Sequence, residues 1–181
     1  HLIQANIIQT SQNYLMTFRY IYNLLDNQEI RFSRNVLELL YPRLYLDILK
    51  KNLKNHDSLL VLSLIRQESV FNPEARSPVG ARGLMQLMPT TAKRMRKSVS
   101  VAQLSNPKVN IELGTKYFEG LMKRYDNNLV HVLSAYNAGE TRVERWKKQY
   151  FDEDETIVRN IETIPFKETR TYVKLIFRNL F

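Results

Sequence analysis

The chain has 181 residues, 44% of them hydrophobic and 25% charged, the balance of a soluble globular protein long enough for one domain and a remainder. Five Gly and six Pro supply too few turns for a sandwich or barrel of many short strands. The absence of Cys excludes thiol catalysis, disulfides and Cys-ligated zinc while leaving the compartment open.

Taken in order, apolar residues recur with helical spacing almost throughout. Ile8, Leu15, Phe18, Tyr22 and Leu25 predict an amphipathic helix across 5–25. A shorter helix through Val36, Leu37 and Leu40 stops at Pro42, and another through Leu44, Tyr45, Ile48 and Leu49 runs to Leu53. No chemical motif falls in residues 1–54, which read as a helical segment, the possible tail of a larger helical region. Asp57 or Ser58 then caps a helix, its oxygen accepting from free N–H groups of the first turn. This helix is apolar on most faces through Leu59–Ile65, as expected at the centre of a domain. It carries Arg66, Gln67 and Glu68 before Asn72-Pro73 closes the segment.

Pro78, Gly80 and Gly83 predict a loop over 77–83, and Pro89 suits the first turn of the next helix. Further helices are expected over 108–125, over 128–138 with Gly139 as its cap, over 140–150, and from Thr169 to the end. Residues 152–166 read as irregular. No apolar run approaches the ~18 residues of a membrane span. The start at His1 leaves any export signal or lipid anchor out of view.

The 27 basic residues exceed the 18 acidic ones, for a net charge of +9. That excess suits a polyanionic partner: nucleic acid, an anionic membrane, or a cell wall carrying free carboxylates. It equally suits a basic surface that serves solubility alone. His1, His56 and His131 lack paired ligand spacing, so surface or packing roles are expected. Asp152–Glu155 reads as a solvated acidic loop, Lys93–Lys97 as a basic solvent face, and Val143 with Trp146 as core.

Glu68 is the sharpest chemical clue. Three, four and seven residues earlier lie Ile65, Leu64 and Val61, so its carboxyl group emerges from the buried stripe. The negative end of the helix dipole adds to burial in favouring the protonated form. A carboxyl group kept protonated near neutral pH is what a general acid requires. A lone Glu in such a place could equally pair with Arg66 or Arg82, or point into water.

Its sequence context is more specific. Glu68-Ser69 is followed by Gly83-Leu84-Met85-Gln86 and later by Ala135-Tyr136-Asn137-Ala138-Gly139, with Glu162–Val173 closing the pattern. From Asp57 to Phe177 the chain resembles the soluble lytic transglycosylases, relatives of goose-type lysozyme. The resemblance implies an all-α, lysozyme-like catalytic domain over residues 55–181. It implies Glu68 as the catalytic acid and base, with Ser77 beside it. Gln86 and Met88 would line sugar subsites, Tyr136 and Asn137 would close the opposite wall with the Tyr136 hydroxyl near Glu68, and Glu168 would bind the sugar or its peptide. On spacing alone, Met85, Met88 and Tyr136 read equally as ordinary core packing.

Retaining and inverting glycosidases need two carboxyl groups flanking the bond. Between Glu68 and Pro89 the only other acid is Glu74, expected to be exposed. One carboxyl group suffices if the 6-hydroxyl of the substrate's muramic acid is the nucleophile. The resemblance, more than the missing acid, implies non-hydrolytic cleavage of peptidoglycan glycan strands to 1,6-anhydro ends, by a monomer in the periplasm or envelope, with no metal, cofactor or nucleic acid. A hydrolytic muramidase and a non-catalytic glycan-binding module are the alternatives. Glu140 and Thr141 stand where relatives often carry Pro and Gly, which leaves the loop shape there open.

Overall fold

In the computed structural model, residues 13–54, 56–152 and 154–180 are described. Helices α1 (Tyr14–Asp26), α2 (Arg34–Leu40) and α3 (Leu46–Asn52) come first. Asn13 and Ser33 cap the first two by accepting from the Met16 and Val36 amides. The predicted first helix is present from Tyr14 onward; the rest of that prediction lies outside the described residues. Helix α4 (Ser58–Ser69) starts where expected, with the Asp57 carboxylate accepting from the Leu59 amide at 2.8 Å. It ends three residues before Asn72-Pro73, because Val70 and Phe71 turn to positive φ, 52° and 61°.

Helices α5 (Pro89–Met95), α6 (Pro107–Arg124), α7 (Leu129–Ala138), α8 (Glu140–Gln149), α9 (Ile157–Glu162) and α10 (Lys167–Leu180) follow, with a 3-10 turn at Ala102–Ser105. Among the described residues the extended pairings are two isolated bridges, Arg76 with Arg82 and Arg82 with Leu87. The fold is all-α. Helix α9 corrects the irregular reading of 152–166. The Thr156 hydroxyl caps it by accepting from the Arg159 amide, Ile161 is buried, and the Asn160 amide donates to the Asp152 carbonyl. These signals are too short to register as periodicity.

Helix α10 packs on both α4 and α7, while α3 packs on α4 and α6. One buried cluster runs from Tyr14 to Ile176. Val61, Leu64 and Ile65 of α4 are wholly buried in it, each stabilising the fold by about 1.5–3 kcal/mol. The core thereby holds the C-terminal end of α4 against α10, and that junction carries the site. Val143, Trp146 and His131 are core residues as expected, and burial lowers the His131 pKa to about 4, with Lys147 adding to the shift.

Candidate active site

The apolar stripe that buries α4 delivers Glu68 to its last turn, where the carboxyl group meets α10. Glu68 Oε1 accepts a hydrogen bond of 2.5 Å from the Tyr172 hydroxyl, and Tyr172 is itself buried. Neither Arg66 nor Arg82 forms an ion pair with Glu68 among the described residues. Burial raises the Glu68 pKa to about 7; the hydrogen bond from Tyr172 opposes this without cancelling it. Burial and the nearby Glu68 charge push the Tyr172 phenol well above its ordinary range, so it remains a donor. The pair can hold and release one proton near neutral pH.

Around Glu68 lies a groove of about 550 Å³, lined by Gln67, Asn137, Glu168, Thr171 and Tyr172 among others. Asn137 sits at the end of α7 and accepts from the Thr169 hydroxyl at 2.7 Å. This bond ties α7 to α10. Glu168 is exposed, on the first turn of α10. Three residues expected at the site, Glu68, Asn137 and Glu168, therefore share one groove.

The remaining expected residues build the neighbouring loop. Ser77 Oγ accepts from the Ala81 amide at 2.9 Å, and the Ser77 carbonyl accepts from Gly80. Gln86, at φ 44°, donates from Nε2 to the carbonyls of Ala75 and Gly83. Met88 is 37% exposed at the start of α5. None of the three is among the residues lining the groove. The Tyr136 hydroxyl donates to the Met85 carbonyl at 2.7 Å, so its hydrogen bond goes to the loop and the bond to Glu68 belongs to Tyr172. Tyr136 is still close enough for the Glu68 charge to raise its pKa, after burial itself.

Asn110 of α6 anchors this loop from beneath. Its Oδ1 accepts from the Met85 amide, and its Nδ2 donates to the carbonyls of Arg82 and Leu104. Gly83 fits there at φ 73°, where a Cβ would stand 2.2 Å from the Leu104 carbonyl oxygen. Sequence reasoning missed Asn110 and Tyr172. Tyr172 reads as one more apolar step of the last helix, and its available signal is its place four residues after Glu168, on the same helix face. Among the described residues no group of three or more His, Asp or Glu could hold a metal ion.

The model of the transglycosylase SLT domain matches residues 48–158. The chain belongs to this family. The chain is 38% identical over 146 residues to the soluble lytic murein transglycosylase of Salmonella typhimurium, covering 76% of this chain and 22% of that protein. In structure it is similar to lytic transglycosylase Slt of Pseudomonas aeruginosa, solved as an inactive glutamate-to-glutamine mutant. The TM-score is 0.83 at 35% identity, covering 99% of this chain and 29% of the other. The 70 kDa soluble lytic transglycosylase of Escherichia coli gives a TM-score of 0.80 at 31% identity, covering 97% and 28%. The chain thus spans between a fifth and a third of the length of these relatives.

Proposed function

We propose that this SLT domain cleaves the β-1,4 bond between N-acetylmuramic acid and N-acetylglucosamine in peptidoglycan without water. The observation that carries this reading is a buried Glu68 whose pKa is raised to about 7 beside a tyrosine that holds it. Protonated Glu68 donates to the departing glycosidic oxygen as the C1–O bond breaks, and the N-acetyl oxygen closes on C1 to spread the positive charge. The Glu68 carboxylate then takes the proton of the 6-hydroxyl, O6 bonds to C1 and displaces the acetamido oxygen. The product is a 1,6-anhydro sugar, and Glu68 ends protonated as it began. Asn137 and Glu168 hold the glycan along the groove, while Ser77, Gln86, Met88 and Tyr136 act through the loop beside it. Residues 55–181 form the catalytic unit, and the segment before it, 1–54, buttresses it through α3, which packs on α4 and α6. A monomer acting in the periplasm or envelope, where the substrate is found, completes the reading.

Glu168 favours one rival, because it adds a second carboxyl group to the groove, as hydrolysis by two carboxylates would require. Mass spectrometry of digested sacculi separates the two. Anhydro-muramyl ends are expected, and free reducing ends would replace this mechanism with hydrolysis.

A further inference from the structure

At the turn after Asn137, where the sequence leaves the loop shape open, the structure places a charge. Gly139, at φ 90°, separates α7 from α8, and Glu140 is the first residue of α8. One oxygen of its carboxylate accepts from Arg124, the last residue of α6, at 2.9 Å, and the other accepts from Arg94, in the last turn of α5, at 3.4 Å. Arg124 also holds Glu144, one turn further along α8, at 3.0 Å. The Glu140 side chain is 22% exposed, less than half the exposure of either arginine it meets. One acid thus ties together three helix ends. From there a line of contacts runs toward the site. Arg94 stands 5.7 Å from the Tyr117 ring, and the Tyr117 ring meets that of Tyr136 at 5.4 Å. Burial first, and then the Glu140 charge, push the Tyr117 phenol up to about 12 against the opposing charge of Arg94, so both charges act on that phenol. Tyr136 in turn donates to the Met85 carbonyl and lies within reach of the Glu68 charge.

A single exposed ion pair adds little to stability, because solvent screening and side-chain freedom offset its attraction. A carboxylate that gathers guanidiniums from two helices instead fixes directions. The joint needs fixing, since Gly139 permits a wide range of backbone angles three residues after Tyr136. Two other bonds cross or adjoin it, from Arg142 to the Ala138 carbonyl at 2.7 Å and from the Tyr125 hydroxyl to the Glu140 carbonyl at 3.5 Å. Both end on backbone, and neither joins α8 to α5. We propose that Glu140 is a positioning residue for the glycan-cleaving site: its charge gathers Arg94 and Arg124, holds Tyr117 against Tyr136, and so keeps the wall beside Glu68 in place. The proposal rests on the reading of Glu68 as the acid. Its effect belongs to the chemical step, because Tyr136 stands beside the acid, while Asn137 and Glu168 hold the glycan.

The test compares the 181-residue chain with Glu140→Gln, which keeps the shape and removes the charge, and with Arg94→Gln, which breaks the same line at an exposed side chain. Ring resonances of Tyr117 and Tyr136, assigned through their Phe variants, report the ring contact by NOE independently of turnover. Both variants are expected to weaken that NOE, to lower kcat on soluble peptide-stripped glycan by roughly tenfold, and to change KM by less than about twofold. Their Tm should stay within about 2 °C of the parent. In about 1 M NaCl, where charges are screened beyond roughly 3 Å, kcat of the parent should fall toward that of Glu140→Gln, and the variant should not respond. An unchanged NOE, an unchanged kcat, a loss of rate that only tracks a loss of Tm, or a parent kcat indifferent to salt would each overturn the assignment. A weakened NOE in variants of a parent chain that turns over no glycan would instead sink the catalytic reading and leave the brace from Glu140 to Tyr136 standing.

Discussion

The two sides of Glu68 are built differently. Toward α10, the neighbouring side chains present polar groups to the groove: the carboxyl group meets Tyr172, and Asn137 and Glu168 stand along the same opening. Toward the loop over 77–88, side chains fold back into their own backbone, with Ser77 on Ala81, Gln86 on Ala75 and Gly83, and Asn110 beneath. One side offers chemistry and the other offers shape. A residue inside a sequence motif can therefore serve the site by building a wall as well as by touching what the wall encloses.

Breaking the chemical side should cost most. Glu68→Gln is expected to retain the fold and lose at least about a thousandfold in turnover, checked by release of soluble muropeptides beside circular dichroism. In the parent chain the starting form is protonated, so activity should fall as pH rises through about 7. Substantial turnover by the variant would reassign the acid.

Breaking the shaped side should cost stability first. Asn110→Ala removes a buried group with three hydrogen-bond partners and should destabilise by about 3 kcal/mol, a fall of roughly 6–12 °C in Tm for a chain of this size. Calorimetry decides this, and a change below 2 °C would mean that the loop holds itself. A pH series on Glu68→Gln gives an effect of similar size. The folded pKa of Glu68 is raised, so between about 4.5 and 7 the unfolded chain loses its proton first and stability declines with rising pH. Relative to the parent, the variant should gain up to about 3 kcal/mol above pH 8 and nothing near pH 4.

Tyr172→Phe sharpens the contrast. It should lower turnover by roughly tenfold and move the alkaline limb of the pH profile upward, because the lost hydrogen bond favours the charged carboxylate. A wall defect would lower the rate without moving that limb. Smallest of all, Ser77→Ala should cost about 1 kcal/mol of stability and change kcat less than threefold. A larger fall in kcat would return Ser77 to the substrate.

Much of this contrast was legible in the residues alone. Periodicity placed α4, α6, α7 and α10, which each bury several residues along one or more faces, while α5, with Ala92 alone buried, was signalled by Pro89 at its first turn. Helix α9 was not legible, being held by one threonine cap and one buried isoleucine. Glu68 was visible because an acid interrupts an apolar face. Tyr172 was hidden for the converse reason: a tyrosine on an apolar face looks like packing, and only the crossing of α10 over α4 turns its hydroxyl toward the carboxylate. Asn110 was hidden because its three partners lie 6 to 28 residues away in sequence.

Val70 and Phe71 hold left-handed backbone at the end of α4, a geometry that disfavours a β-branched residue by roughly 1–2 kcal/mol. Val70→Gly would relieve that torsion but would also remove a side chain packed against the core and free the unfolded chain, costs of similar size. The valine thus keeps the peptide unit two residues after the acid stiff, at an expense in torsional energy that its packing repays.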